Sequence, residues 1–201
     1  MEKEALTRYP IHPLLKRRWS PRAFAETPVE KEKLQSVFEA ARWSPSAGNE
    51  QPWNFLVGIK PDETWQKIYD SLADGNKAWN MHVPVLVIAI GRKVTTRDRG
   101  PYFHYQYDTG QAVAHLSIEA MNLGLFVHQM AGFSAEKITE SFNVPDDHQP
   151  MTAIAIGYPG NPDDLPDFQK KREFSERTRK EFSEFVFSGT FGNASDIVLL
   201  S

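Results

Sequence analysis

Apolar and polar positions along the chain alternate at two spacings, and each spacing predicts a kind of secondary structure. In residues 27–43 apolar side chains recur every three or four positions, which predicts a helix with one buried face. Thr27 and Glu30 have the spacing of a capping box, and Pro28 fits the first helical position. We therefore expect the first long helix to begin at this point.

Three apolar runs have the patterns of strands. The run WNFLVGI alternates, with Phe55, Val57 and Ile59 on one side, which predicts a half-buried strand. The run VPVLVIAIG is continuously apolar and predicts a central strand buried on both faces. The run TAIAIGYPG predicts a third strand that ends at Pro159 and Gly160.

Three further segments have helical periodicity. The segment DETWQKIYDSLADG predicts one helix with Trp65 and Leu72 facing inward, ended by Gly75. The segment DTGQAVAHLSIEAMNLGL predicts the longest helix, and its many small residues allow a neighbouring element to approach closely. The segment GFSAEKITESFNVP predicts a short helix with Ser134 as its N-cap.

Helices and strands do not alternate regularly enough for a doubly wound sheet. The order of elements predicts an α+β fold in which helices pack on a small, mostly antiparallel sheet, as one domain over residues 1–201. Residues 161–180 are polar and are expected to form a long loop. The segment after them contains apolar residues that need cover, which another chain could provide.

Composition narrows the classes of function. The 201 residues are 40% hydrophobic and include no cysteine, so a core is expected without disulfides, thiolate ligands or a cysteine nucleophile. The net charge of −3 argues against a nucleic-acid partner. The beginning of the chain has no apolar signal sequence, and the longest apolar run is too short to cross a bilayer. A cytoplasmic protein with no membrane partner is expected.

The common catalytic motifs are missing from the sequence. There is no G-x-G-x-x-G, no phosphate-binding P-loop and no G-x-S-x-G. His115 and Glu119 share one helix face, but no H-E-x-x-H occurs and the histidines are scattered. No metal site is therefore expected.

The segment KRRWSPRAF is the first of three polar clusters. Arg17, Arg18 and Arg22 bracket Trp19 and Ser20. The cluster is compatible with a solvated basic turn or with an RNA contact, because arginine and an aromatic ring lie together. It also fits an anion site, since arginine binds phosphate through two parallel hydrogen bonds and a hydroxyl can add another.

The other two clusters are SPSAGNEQPW and ERTRKEF. The first is rich in turn-forming residues and small hydrogen-bonding groups. In the second, Arg177 and Arg179 are two residues apart, which places both on one face of an extended segment. Each cluster alone has an ordinary structural interpretation. Together they suit a ligand with a phosphate, a polyol and a polar ring system.

The order of these motifs resembles the nitroreductase family of FMN-dependent oxidoreductases. The likeness rests on RRWSPRAF, on SPSAGNEQPW followed by an alternating strand, and on the long small-residue helix. It continues through AGF and AIAIGYPG to the basic pair before an apolar C-terminal extension. The resemblance implies an intertwined homodimer with FMN at the interface, contacted by both chains.

The same resemblance implies a set of cofactor-binding residues. They are Arg18, Trp19, Ser20, Arg22, Pro45, Ser46, Ala47, Asn49, Gln51, Asn76, Ala131, Gly132, Arg177 and Arg179. Arg18, Ser20 and the C-terminal pair would hold the phosphate and ribityl chain, with Trp19 contributing its backbone. The SPSAGNEQPW loop would reach the flavin of the partner chain.

The remaining residues of that set would contact the flavin ring and its surroundings. Arg22 would lie near flavin N1 and the C2 carbonyl, where a cation stabilises the reduced ring. Asn76 would lie on the ribityl or pyrimidine side, and the backbone of Ala131 and Gly132 would approach N5.

Three positions depart from the pattern of the family. Ala47 stands where some members have a second serine, Ala131 where some have an acidic residue, and Trp79 where some have lysine. Arg22 is therefore expected to be the main cation near the ring.

The activity implied by the resemblance is transfer of hydride from NAD(P)H through flavin N5 to an electron-poor small molecule, such as a nitroaromatic or a quinone, by a ping-pong mechanism. The flavin supplies the chemistry, so no protein acid or base is required. Residues 103–105 and Phe126 are expected either in the pocket wall or in the core. The alternative is a protein of the same fold that stores or senses FMN without catalysis.

Overall fold

Four antiparallel strands form the sheet on which the rest of the chain packs, in a computed structural model that describes residues 2–198. The strands are β1 (Trp53–Ile59), β2 (Val85–Arg92), β3 (Phe126–Met130) and β4 (His148–Gly157). The helices are α1 (Pro13–Arg17), α2 (Lys31–Arg42), α3 (Glu63–Ser71), α4 (Asp74–Asn80), α5 (Tyr105–Asn122), α6 (Ala135–Phe142) and α7 (Asp167–Phe174). The predicted α+β class is confirmed.

The strand order is β1-β2-β4-β3, so β2 and β4 occupy the centre of the sheet. Val87 of β2 lies opposite Val57 of β1 on one side and opposite Ile154 of β4 on the other. The register of β2 and β4 shifts between Ala89 and Ile90. Every residue of β2 before its last is buried, as its continuously apolar sequence predicts.

Successive residues of β2 point to opposite faces of the sheet and divide the core into two layers. Leu86 and Ile88 pack with α3 and α6 on one face, where Trp65 is buried. Val87 packs on the other face with α2 and α5, where Leu116 is fully buried. Of the small residues of α5, Ala112 and Ala120 are fully buried in this second layer, whereas Gly110 and Ala114 are exposed.

The predicted start of α2 is wrong. The helix begins at Lys31 with Glu30 as N-cap, and no side chain caps it. The Glu30 carboxylate instead accepts a hydrogen bond of 2.5 Å from the Tyr158 hydroxyl, so it is not free to form the capping box with Thr27. At Ser134, by contrast, the predicted N-cap of α6 is confirmed by its hydrogen bond from the Lys137 backbone.

The helix predicted over residues 62–75 is two helices. Helix α3 ends at Ser71 and α4 begins at Asp74, so Gly75 lies inside a helix instead of ending one. The Ser71 carbonyl accepts from the Ser134 backbone, and the Ala73 N–H donates to the Gly132 carbonyl. These long-range hydrogen bonds satisfy backbone groups at the break between α3 and α4.

Several elements differ from the predicted set. Strand β3 and helix α1 were not predicted, and the loop expected over residues 161–180 contains α7. Strand β4 begins four residues before the predicted run, at His148. Ile59, expected on the buried side of β1, is 45% exposed because the strand ends there in a turn.

Two features are absent from the described part of the chain. Between residues 2 and 198 no helix has both the length and the apolar character needed to span a membrane. The same residues contain no group of three or more His, Cys, Asp or Glu side chains arranged to hold a metal ion.

Candidate functional site

The first and third polar clusters meet in one cleft. Arg18 at the C-terminal cap of α1 lies beside Arg177 and Arg179, which follow α7 in an extended segment. The cleft has a volume of about 680 Å³. We call it the arginine cleft. Its apolar lining comes from both terminal segments and includes Leu6, Tyr9, Ile11, Leu15, Phe182 and Phe185.

Of the four guanidinium groups that line the arginine cleft, that of Arg8 lies 3.9 Å from the Glu181 carboxylate, and within residues 2–198 the other three have no carboxylate partner. Arg177 donates to the carbonyls of Lys3 (2.5 Å) and Lys16 (3.1 Å), and Arg179 to its neighbour's carbonyl (2.6 Å). Within residues 2–198 none of the three forms a salt bridge. Burial, followed by the charges of Arg177 and Arg179, lowers the pKa of Arg18. Uncompensated positive charge of this kind favours an anion.

Trp19 and Ser20 follow Arg18 but have different surroundings. Arg18 Nη1 donates to Ser20 Oγ over 3.5 Å, so the hydroxyl lies next to the arginine cleft. The Trp19 side chain is buried, with its ring 6.2 Å from that of Phe126 and Lys3 Nζ 4.9 Å from its centroid. Only the backbone of Trp19 is therefore available to a ligand, and Phe126 has the core role.

Arg22 is tied to a buried carboxylate that the sequence did not reveal. Its backbone N–H donates to both oxygens of Glu173 (3.0 and 2.9 Å), and its Nη1 lies 4.0 Å from Oε2. The ring of Trp79 lies in the core between Phe24 and His128, at 6.2 and 4.6 Å. Trp79 thus brings no polar group to the surface near Arg22.

Asn76 and the turn after β3 form one structural unit. Asn76 Nδ2 donates to the Gly132 carbonyl over 2.9 Å. A Cβ atom on Gly132 would lie 2.7 Å from that amide nitrogen, so only glycine fits without displacing it. Ala131 is exposed beside it. Asn76 therefore shapes the turn, and its amide nitrogen is already engaged.

Hydrogen bonds to residues of α5 hold the SPSAGNEQPW loop in place. We call residues 44–51 the anchored loop. The buried carboxylate of Asp108 accepts from the Ala47 backbone (3.1 Å) and from the Tyr102 hydroxyl, which also contacts the Ala47 carbonyl (3.0 Å). Ser44 is buried against His115 of the same helix, with 2.8 Å between Oγ and Nδ1.

The outer side of the anchored loop remains open. Gly48, Asn49 and Gln51 have positive φ angles of 61°, 57° and 47°. Gln51 donates through its backbone to Ser46 Oγ (3.0 Å). Pro45, Ala47, Asn49 and Gln51 are all exposed. The loop thus presents small polar groups on a backbone that its own contacts hold in place.

The structure brings together some of the predicted site residues and not others. Arg18, Ser20, Arg177 and Arg179 gather at the arginine cleft, and Asn76 joins Gly132. The anchored loop is separate, since none of residues 44–51 lines the cleft. Of the expected pocket-wall group, residues 103–105 lie at the start of α5, and Phe103 is 87% exposed.

Sequence reasoning missed the buried acids Asp108 and Glu173. Asp108 lies in the first turn of the longest helix, where a carboxylate is common for electrostatic reasons alone. Glu173 lies in a polar stretch with no apolar periodicity. Neither position carries a local signal that separates a buried acid from a solvated one.

The chain matches the model of the Nitroreductase family over residues 15–81 and 73–158. A crystal structure described as an oxidoreductase containing FMN superposes with a TM-score of 0.86 at 34% identity, covering 93% of this chain and 96% of that one.

Two curated relatives add to this likeness. A Xanthomonas oryzae pv. oryzae protein named "Putative NADH dehydrogenase/NAD(P)H nitroreductase" is 28% identical over 178 residues, 79% of this chain and 89% of that protein. An uncharacterised 15.4 kDa protein of Mycolicibacterium smegmatis is 36% identical over 86 residues, 43% of this chain and 58% of that one.

Proposed function

The chain belongs to the nitroreductase family of oxidoreductases, and from that premise we propose that it binds FMN and transfers hydride from NAD(P)H to an electron-poor small molecule. The observation that carries the proposal is the arginine cleft. Arg18, Arg177 and Arg179 line it together, and within residues 2–198 none of them forms a salt bridge to a carboxylate. Glu181 also lines the cleft, but its partner is Arg8, at 3.9 Å. A phosphate monoester would supply the missing negative charge.

The residues present fit an FMN phosphate and ring. Arg18, Arg177 and Arg179 would hold the phosphate, with the Ser20 hydroxyl beside them. Asn76 fills the side of Gly132 that a Cβ would occupy, so the exposed backbone next to Ala131 would be the part of this turn that faces a planar group.

We propose that the site is completed by a second copy of the chain. Within one chain the anchored loop and the arginine cleft are separate, although the proposal assigns both to one flavin. Leu6, Phe191 and Ile197 of the terminal segments are 100%, 96% and 80% exposed. In the proposed dimer the partner chain would cover apolar side chains of these segments. A homodimer in which the anchored loop of one chain reaches the cleft of the other accounts for both observations.

When bound, FMN would supply the hydride chemistry that links NAD(P)H to a nitroaromatic or quinone acceptor in a ping-pong sequence. The protein contributes position and charge. In this proposal the Arg22 guanidinium would lie near flavin N1 and the C2 carbonyl and would stabilise the negative charge of the reduced ring. The anchored loop presents groups without bulk, so a second planar molecule can stack in the same place. No side chain of this chain needs to act as an acid or base.

The experiment is the visible spectrum of the purified protein before and after addition of NADH or NADPH under nitrogen. We expect a flavin spectrum that is bleached by reductant and restored by a quinone. A colourless protein that takes up no added FMN would contradict the proposal. Tight FMN binding without reduction by either nucleotide would instead indicate a storage or sensing protein.

A further inference from the structure

Glu173 is a buried acid for which the proposed function gives no role. It lies on α7, beyond the residues 15–158 that match the family model, and is 1% exposed. A glutamate is almost never fully buried unless its charge is paired. The groups that compensate the charge of the Glu173 carboxylate therefore indicate its role.

Within residues 2–198 the hydrogen-bond donors to the Glu173 carboxylate belong to the segment that follows Ser20. Its Oε1 accepts from the backbone N–H groups of Arg22 (3.0 Å) and Ala23 (3.1 Å), and its Oε2 accepts from Arg22 (2.9 Å). Arg22 Nη1 lies 4.0 Å from Oε2. One carboxylate thus fixes the backbone of Arg22 and lies next to its guanidinium group.

The N-terminal segment also contacts Glu173. Lys3 Nζ donates to the backbone carbonyl of Glu173 over 2.7 Å. The Arg22 guanidinium is half-buried and also lies near Arg172. Burial and the charge of Arg172 lower the pKa of Arg22, and the charge of Glu173 opposes them. Glu173 is therefore the anion that balances a crowded group of cations.

We propose that Glu173 is a positioning residue that fixes Arg22 and offsets part of its charge, and thereby keeps the reduction potential of the bound flavin low. The inference rests on the proposed function, in which Arg22 lies next to the flavin. A cation beside the ring favours its reduced, more negative form. An acid that faces the same cation reduces that effect, because opposite charges close together partly cancel in their action on a third group.

The test measures the midpoint potential of bound FMN in variants of the purified protein. In Glu173→Gln an oxygen remains to accept from the backbone while the charge is lost, so the potential should shift to more positive values. Arg22→Ala should shift it to more negative values. If Glu173 acts through Arg22, adding Glu173→Gln to Arg22→Ala should shift the potential less than it does in the parent.

Glu176→Gln is the matched control. It removes the same charge from an exposed residue just after α7, and its potential should equal that of the parent. An unchanged or more negative potential in Glu173→Gln would overturn the inference, and so would an equal shift in the Arg22→Ala background.

Two further measurements keep the inference testable. If Glu173→Gln does not fold, Glu173→Asp retains the charge but shortens the side chain, and a smaller positive shift is expected; an unchanged potential would overturn the proposal. A parent protein that binds no FMN would contradict the proposed function itself, which separates the two failures.

Discussion

The anchored loop and the arginine cleft are both polar and both lie at the protein surface, yet they differ in what satisfies their polar groups. In the loop, the buried carboxylate of Asp108 and the hydroxyl of Tyr102 bond the backbone of Ala47 from inside the protein. In the cleft, the only hydrogen-bond partners of Arg18 and Arg177 within residues 2–198 are a hydroxyl and backbone carbonyls, and burial, followed by the charges of neighbouring guanidinium groups, lowers the pKa of both arginines.

This difference predicts that substitutions in the loop affect folding stability and substitutions in the cleft affect ligand binding. The protein builds the anchored loop with its own hydrogen bonds, so substitutions there should cost stability with or without a ligand. The arginine cleft is a concentration of like charge that an anion would relieve. Substitutions in the cleft should therefore cost affinity for the ligand and leave stability unchanged or slightly improved.

The largest effect is expected at the centre of the anchored loop. Asp108→Ala removes the buried carboxylate that accepts from both the Tyr102 hydroxyl and the Ala47 N–H, which should lower the free energy of unfolding by about 3 kcal/mol. Urea unfolding of the FMN-free protein measures it. Glu119→Ala on the same helix is the control, with an expected change within about 0.5 kcal/mol. Equal changes in the free energy of unfolding for the two substitutions would show that Asp108 stabilises the loop no more than Glu119 stabilises its surroundings.

The next effect is a loss of stability at low pH that is expected from His128. His128 Nδ1 lies 2.6 Å from the Pro21 carbonyl, directly under the segment that holds Arg22. Burial lowers the pKa of His128 to about 4. Its unfolded pKa is about 6.5, so between these values the unfolded chain binds the proton more readily. The stability contribution is therefore complete above about pH 6.5 and lost as the pH falls towards 4.

This linkage predicts a loss of about 2 kcal/mol in the free energy of unfolding between pH 7 and pH 5. Urea titrations at the two pH values measure it, and His128→Gln should lose much of the difference. His115, next to Ser44 on the loop side, provides the matched variant, and His115→Gln should retain the acid-dependent loss. If both variants behave alike, acid does not act through the segment under the cleft.

In the arginine cleft, Arg18→Gln tests binding apart from stability. One of the cations proposed to hold the phosphate is lost, so the affinity for FMN should fall about tenfold, equivalent to about 1.4 kcal/mol. The stability of the FMN-free protein should not fall, because like charges are relieved. Fluorescence titration and thermal unfolding measure the two quantities. Arg42→Gln on α2, where Glu39 pairs with the arginine, is the control and should bind FMN as the parent does.

Local sequence patterns predicted the elements that local forces decide. The run WNFLVGI matches β1 over Trp53–Ile59, and the Ser134 cap holds, because alternation and capping act within a few residues. The break between α3 and α4 was missed because hydrogen bonds from Gly132 and Ser134, far along the chain, impose it. Strand β3 was missed because His128 and Gln129 interrupt its short apolar run.

The same limit applies to the candidate site. Arginine and turn-forming clusters are visible in the sequence, and the structure places Arg18 and Arg177 in one cleft. The acids that hold the site, Asp108 and Glu173, are visible only in three dimensions, because burial of a carboxylate depends on partners about 60 and 150 residues away. A charged residue whose partners are distant in the sequence produces no periodic pattern in the sequence around it.

The smallest effect separates the conformation of the anchored loop from its function. Gly48 has a φ of 61°, and a Cβ atom added there would have no other atom within 4 Å, so Gly48→Ala meets only the backbone cost of a positive φ, about 1 kcal/mol. Gly124, just after α5, has a φ of 78° and equally open space, so Gly124→Ala should cost the same in urea unfolding. Only Gly48→Ala should also weaken FMN binding, because only that backbone lines the proposed site. Equal affinities in the two variants would show that the loop's shape serves the fold alone.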